Sequence, residues 1–285
     1  MMNRLAAEKA LTHFLIEDIG ERDASSVIFD EQDIGTAIVR SKADGIVAGL
    51  QIFDWGYLLL DSSITVEKLK RDGDAVTSGE PLVRITGNVA QLLAGERVFL
   101  NLVQRMSAIA TLTHHCVETL GSTHTRIVDT RKTTPGLRMF EKYAVRAGGG
   151  FNHRNGLYDA VMLKDNHIAA AGSITEAVRK VRAAHGHMMM VEVEVETEQQ
   201  LMEAITSAPD VIMFDNQTPD TMKRWAELVP MSIRTEASGG IDLARLADYR
   251  DTGVDVISIG ALTHSVSNLD MTMNLSVSKK EAINQ

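Results

Sequence analysis

Residues 125–260 keep one rhythm throughout: a short apolar run, a few polar residues, then a stretch with helical spacing. Strand-like runs fall at 125–128, 160–163, 189–195, 211–214, 232–233 and 254–259. Helix-like stretches fall at 173–184, 198–207, 219–228 and 242–251, and Ser173 with Glu176 has the spacing of a capping box. Strands that alternate with helices run parallel, because the helix supplies the long crossover that parallel neighbours need. No Gly-x-Gly-x-x-Gly follows the first strand, so the pattern predicts an α/β barrel and not a dinucleotide-binding sheet. In such a barrel a site belongs at the carboxyl ends of the strands.

The first hundred residues read differently. Leu5, Ala6, Lys9, Ala10, His13 and Phe14 lie near helical spacing. Strand-like runs at 36–39, 45–48 and 82–85 are separated by turns such as Asp72-Gly73-Asp74, which predicts an α+β lobe. From Val89 to Leu120 there is no proline, and Leu92, Leu93, Val98, Phe99, Leu102, Val103 and Met106 form one apolar stripe. That stripe predicts a long helix, expected to break near Ser107. We place the domain boundary near Ile109, giving a lobe of 1–108, a barrel of 109–270 and a polar, partly mobile tail of 271–285.

Composition narrows the class. Acidic side chains outnumber basic ones 38 to 29, a formal charge of −9 that excludes a general nucleic-acid binder, whose footprint is basic. Cys116 is the single cysteine, so no disulfide forms within the chain and a reducing cytoplasm suits it. The N-terminal apolar stretch is interrupted by Arg4, Glu8, Lys9 and His13, which predicts neither a signal peptide nor a membrane helix.

Every predicted barrel strand delivers charge or glycine to the same rim. The exits are Asp129-Thr130-Arg131-Lys132, Lys164-Asp165-Asn166-His167, Asp215-Asn216, Glu236-Ala237-Ser238-Gly239-Gly240 and Gly260. One strand carries Glu192, Glu194 and Glu196 on a single face. Between Arg131 and Lys164 seven basic side chains face two acidic ones, which in an acidic chain points to an anionic ligand. Glu194 and Asp215 are an oxygen pair of the kind Mg²⁺ uses beside substrate phosphates. Ser238-Gly239-Gly240 and Gly260 offer bare backbone N–H groups for a phosphate.

Simpler readings apply elsewhere. Arg138, Lys142 and Arg146 are expected on the surface, and Glu141 with Lys142 as solvated helix charges. Glu192 and Glu196 stay open between a wet strand face and a role beside Glu194. Gly148-Gly149-Gly150 reads as a flexible connection, Met188-Met189-Met190 as core, and Cys116 as a buried, inert thiol. His114, His115, His185 and His187 lack metal-ligand spacing.

The stretch DTRKTTPGLRMFEKYAVRAGGGFNHRNGLYDAVMLKDNHI, beginning at Asp129, resembles the signature region of the quinolinate phosphoribosyltransferase family. EDIG at 17–20, GERVFLNLVQRMSAIAT at 95–111, VEVEVET at 191–197, IMFDN at 212–216, EASGGI at 236–241 and ISIGALTHS at 257–265 extend it over nearly the whole chain. The resemblance implies an α/β-sandwich lobe and an incomplete seven-stranded parallel α/β barrel of the type II phosphoribosyltransferase kind. It implies that quinolinate and phosphoribosyl pyrophosphate react with Mg²⁺ to give nicotinate mononucleotide, pyrophosphate and CO₂ in de novo NAD synthesis. By motif, Arg131, Arg154 and Lys164 meet the quinolinate carboxylates with His153 beside them, and Thr130 belongs to the same site. Lys132 faces the pyrophosphate and ribose, while Glu194 and Asp215 hold the ribose hydroxyls and Mg²⁺. Ser238, Gly239, Gly240 and Gly260 cradle the 5′-phosphate, and Lys132, Lys164, Glu194 and Asp215 carry the chemistry. A homodimer, or a hexamer built from it, is implied, with Arg97 reaching the neighbouring subunit's site. Residues 20–26 and Arg234-Thr235 depart from the family pattern. Three rivals remain: a paralogue of the same fold found beside molybdate-transport genes, a Schiff-base barrel with Lys164 as nucleophile, and a metabolite-binding protein without turnover.

Overall fold

The structure is a computed structural model and describes residues 2–277. The chain begins with α1 (Arg4–Ile19), a 3-10 turn (Ala24–Ile28), β1 (Ile34–Ser41), β2 (Gly45–Ile46), α2 (Gln51–Leu60), β3 (Thr65–Lys68), β4 (Ala75–Val76) and β5 (Pro81–Asn88). It continues through α3 (Val89–Leu120), β6 (Arg126–Val128), α4 (Arg138–Ala147), β7 (Val161–Leu163), α5 (Asp165–Ala171), α6 (Ile174–Ala184) and β8 (Val191–Val195). It ends with α7 (Glu198–Ser207), β9 (Val211–Asp215), α8 (Pro219–Leu228), β10 (Arg234–Ser238), β11 (Val256–Ser258), α9 (Ala261–His264) and β12 (Met271–Val277). No described helix is long and apolar enough to cross a membrane.

Two compact units emerge, with bounds that differ from the expected ones. The first takes the chain up to Leu112, Pro135–Gly148 and the chain from Val266 onward; the second takes Thr113–Thr134 and Gly149–Ser265. Two corrections follow. Segment 135–148, expected in the barrel, belongs with the first unit. Residues 271–277, expected as tail, form β12, antiparallel to β1 from Ser41↔Met271 to Gly35↔Val277. Thr272, Asn274 and Ser276 mask the strand's alternation, yet Met271 and Met273 are buried. The rest of the expected tail, 278–285, lies outside the described residues.

The first unit is built on an antiparallel sheet in the order β12-β1-β5-β3, with β2 and β4 paired separately. Asn3 caps α1 by accepting from Ala6 N–H, and Ala7, Leu11 and Leu15 recur at four-residue steps on its buried face. Tyr57 packs edge-on against Phe99 with ring centres 4.8 Å apart, and its hydroxyl donates to the Leu92 carbonyl at 2.8 Å. The expected break in α3 at Ser107 does not occur. Ser107 is fully buried and its hydroxyl accepts from Ala48 N–H at 3.0 Å, so the polar residue ties the helix to the lobe instead of ending it. Glu141 and Lys142 are also corrected: both are buried, and Arg105 pairs with Glu141 at 2.6 Å.

In the second unit six parallel strands stand in the order β6-β11-β10-β9-β8-β7. The expected seventh strand shrinks to one bridge, Phe151 against Val128 at the outer side of β6. Residues following β6 and β7, the two ends of this sheet, line one common cavity, so the sheet curls as an incomplete barrel does. Thr197 and Gln200 form a full capping box on α7, and Thr218 caps α8 with Pro219 in its first turn. Ser173 accepts from Glu176 N–H as its spacing predicts, while the Glu176 carboxylate turns to Arg179.

Other local readings shift. β10 begins at Arg234, after the apolar pair at 232–233, because its polar residues point into the barrel. Thr235, a departure from the family pattern, donates to Asp255 from both its N–H (2.8 Å) and its hydroxyl (3.1 Å). The helix expected at 242–251 is only a 3-10 turn, Leu246–Tyr249, whose buried ends are three residues apart as that geometry requires. Met188 and Met190 are exposed, not core.

Candidate active site

A cavity of about 550 Å³ opens at the carboxyl ends of the six strands. Its basic side comes from β6 and β7 and the segment between them. Arg131 and Lys132 follow β6, Arg154 follows Phe151, and Lys164 follows β7. Thr130 Oγ1 accepts from Lys132 N–H at 2.9 Å, and Thr263 Oγ1 donates to the Lys132 carbonyl at 2.8 Å, so the main chain under Lys132 is held from two sides. Among the described residues Arg131, Lys132 and Arg154 make no ion pair. Burial, and then the charge of Arg131, push the Arg154 guanidinium below its ordinary value. Two guanidiniums close enough to repel are a ready complement to paired carboxylates.

The acidic side comes from β8 and β9. Glu194 pairs with Lys164 Nζ, and its carboxylate lies with those of Glu196 and Asp215 in one cluster whose oxygens fall within 4.8 Å. Burial raises the Asp215 carboxyl despite the nearby Lys164 charge. Asn216 Nδ2 donates to Asp215 Oδ2 at 2.5 Å, holding the carboxylate from the adjacent residue. Asn216 itself takes the left-handed region at φ 52°, and its N–H donates to the Ser238 carbonyl at 2.9 Å. That joins the exits of β9 and β10.

Glycine is required on the remaining rim. Gly239 sits at φ +92°, and a Cβ there would stand 2.2 Å from Asn216 Oδ1. Gly260, after β11, leaves room for the Lys132 stem, which a Cβ would meet at 3.0 Å.

Behind the rim lies a cluster that sequence reasoning only half saw. His153 Nε2 is 3.0 Å from Glu192 and 3.4 Å from Glu236, and both glutamates are buried. Burial opposes charge on the His153 ring, but hydrogen bonds and charges from the two glutamates prevail and push it up to about 10. Glu192 is pushed up by burial and by the Glu236 charge. Arg154 N–H donates to Nδ1 at 2.8 Å, which turns Nε2 toward the two glutamates. Glu192 Oε1, Glu236 Oε1 and Ser258 Oγ have no hydrogen-bond partner among the described residues.

The barrel therefore brings together Thr130, Arg131, Lys132, His153, Arg154, Lys164, Glu194, Asp215, Ser238, Gly239 and Gly240, with Gly260 against Lys132. Arg97 is elsewhere. It lines a cavity of the first unit with Glu17, Asp18, Asn101 and Arg105. The open question over the glutamates divides: Glu196 stands with Glu194, whereas Glu192 is committed to His153. Sequence reasoning missed Glu236, Asn216 and Ser258 as site residues. Period-two spacing from Ser238 and Gly260 marks Glu236 and Ser258 as sharing their inward faces.

The described geometry coincides with one family. Profiles of the quinolinate phosphoribosyl transferase N-terminal and C-terminal domains match residues 23–107 and 109–274. The chain belongs to the quinolinate phosphoribosyltransferase family. It is 54% identical over 280 residues to a probable carboxylating nicotinate-nucleotide pyrophosphorylase of Bacillus subtilis, covering 98% of this chain and 96% of that one. A carboxylating nicotinate-nucleotide pyrophosphorylase of Mycobacterium leprae is 42% identical, covering 85% and 87%. The crystal structure of NadC from Streptococcus pyogenes superposes with a TM-score of 0.94 at 41% identity, covering 98% of this chain and 99% of that one. Membership disposes of the Schiff-base rival on physical grounds as well. Lys164 is 45% exposed and ion-paired, not set in the dry apolar pocket a nucleophilic amine uses.

Proposed function

We propose that this quinolinate phosphoribosyltransferase joins quinolinate to phosphoribosyl pyrophosphate with decarboxylation, yielding nicotinate mononucleotide, pyrophosphate and CO₂ in de novo NAD synthesis. The observation that carries the residue-level reading is the guanidinium pair of Arg131 and Arg154 facing the Glu194–Asp215 cluster across one cavity. A dicarboxylate suits the first, and a ribose with Mg²⁺ suits the second.

Arg131, Arg154 and Lys164 take the quinolinate carboxylates, with Thr130 at the same edge. Ser238, Gly239, Gly240 and Gly260 take the 5′-phosphate on bare backbone. Lys132 lies between these regions, beside Gly260, and faces the pyrophosphate. The attacking pyridine nitrogen carries no proton, so no general base is called for. The demand is electrostatic: the ribosyl carbon grows positive as pyrophosphate departs, and Glu194 with Asp215 stand where anionic oxygens help. The carboxylate cluster offers only hard oxygen donors and opens on the cavity, which fits Mg²⁺ held by Glu194 and Asp215. When bound, Mg²⁺ would supply charge neutralisation for the leaving group. Decarboxylation follows once the ring nitrogen is alkylated. The bond from C2 to its carboxylate breaks, CO₂ leaves, and the electron pair stays on C2 beside the cationic nitrogen. A proton from solvent then takes the vacated position. Nicotinate lacks the 2-carboxylate and would leave cations of the site unpaired, the strongest form of discrimination available here.

The enzyme works in the cytoplasm as a homodimer in which Arg97 completes the partner's site. The test of the reaction is CO₂ release from carboxyl-labelled quinolinate with phosphoribosyl pyrophosphate and Mg²⁺, each omitted in turn. Release that needs all three is expected. Absence of release from folded protein would overturn the reading and favour the paralogue.

A further inference from the structure

His153 spends both ring nitrogens inside the protein. Nδ1 accepts from Arg154 N–H at 2.8 Å, and Nε2 faces Glu192 at 3.0 Å and Glu236 at 3.4 Å. The two glutamates stand on β8 and β10, which are separated in the sheet by β9. Their side chains nonetheless converge: one oxygen of each carboxylate and the ring nitrogen all lie within 4.8 Å of one another, so the ring is set against two like charges at once. The segment leading to Arg154 is gripped by a third buried carboxylate. Asp129 accepts from His153 N–H at 2.9 Å and from Asn152 Nδ2 at 2.5 Å. Beyond it, Arg154 Nη1 donates to the Ala160 carbonyl at 2.9 Å, and the Glu192 charge acts on the guanidinium.

Three buried carboxylates, on β8, on β10 and just after β6, thus converge on the residues that carry one guanidinium. Such burial is expensive, and here the expense is not recovered in full, since one oxygen each of Glu192 and Glu236 has no hydrogen-bond partner among the described residues. An apolar pair would pack the same interior more cheaply. We infer that Glu192 and Glu236 are positioning residues for acceptor recognition, which hold His153 and through it fix Arg154 where it meets a carboxylate of the heterocycle. On this assignment His153 is a clamp across β8 and β10, with both ring nitrogens engaged within the protein. The inference rests on the proposed reaction.

Steady-state kinetics of Glu236→Gln and Glu192→Gln test it, with quinolinate and phosphoribosyl pyrophosphate each varied against saturating partner. Both variants keep shape and lose charge. The quinolinate KM should rise about tenfold or more, the size of a lost charge-assisted hydrogen bond. The phosphoribosyl pyrophosphate KM and kcat should stay within about twofold. An unchanged quinolinate KM would overturn the inference, and so would a parallel rise in both KM values, the mark of a loosened barrel. If Glu236→Gln does not fold, Glu192→Gln carries the same test. Failure of the unmodified enzyme to release CO₂ would instead strike the proposed reaction, so the two failures are told apart in one assay.

Discussion

Truncating Arg154 should separate the two substrates. The Arg154→Ala change leaves the backbone N–H that binds His153 in place, so the loss is confined to the guanidinium and its bond to the Ala160 carbonyl. Removing one partner of a hydrogen-bonded charge pair costs about 2–5 kcal/mol when the pair is well buried. Arg154 is half-buried, and its removal also relieves the repulsion from Arg131, so the lower part of that range applies. A cost of about 2–3 kcal/mol corresponds to a quinolinate KM raised by about 30- to 150-fold. The phosphoribosyl pyrophosphate KM should hold within about threefold, because the groups assigned to it are Lys132 and residues on or just after β8–β11, none of which bonds to the Arg154 side chain. Arg154→Lys keeps the charge and loses the planar fork, and its KM should fall between the two. The assay is initial-rate CO₂ release with each substrate varied in turn. Equal loss of apparent affinity for both substrates would refute the division of the cavity into a dicarboxylate side and a ribose-phosphate side.

Three other outcomes follow from the geometry. Gly239→Ala places a Cβ 2.2 Å from Asn216 Oδ1 at a φ of +92°, a strain on the order of 1–3 kcal/mol. It should lower Tm and raise the phosphoribosyl pyrophosphate KM more than the quinolinate KM; the reverse order would remove the phosphate from this turn. Mixing Arg97→Ala with Lys164→Ala protein should restore activity if Arg97 serves the partner's site, and no recovery from demonstrated heterodimers would assign Arg97 to its own subunit or to none. Cys116 is buried, and burial pushes its thiol up to about 11, so a thiol reagent at pH 8 should label no cysteine in the native enzyme and one under denaturant. Stoichiometric native labelling would show that α3 opens around it.

Much of the barrel could be read before any coordinates, because parallel strands and their crossover helices each leave a local period. The exits at Arg131, Lys164, Asp215 and Gly239 could be placed on one rim from topology alone. Errors cluster where a polar residue has a tertiary partner. Ser107 looks like a helix breaker until Ala48 N–H reaches it, and Lys142 looks solvated until its helix packs into the first unit. β12 hides behind Thr272, Asn274 and Ser276, because an edge strand needs only one buried face. β10 was offset for the opposite reason: its inward side chains, Glu236 and Ser238, are polar because they belong to the site.

The order of the elements, the acidic charge, and the cations and glycines at the strand ends were properties of the sequence itself. They determined a parallel α/β site for an anionic substrate, and the long motifs determined the family. What the sequence could not decide was pairing. Glu192 and Glu194 are two residues apart on one face, yet one turns to His153 and the other to Lys164 and Asp215. That choice depends on the curl of the sheet, which brings β10 and the segment after Phe151 toward β8. Local periodicity reports which face a side chain occupies; only strand register and curvature decide what meets it there.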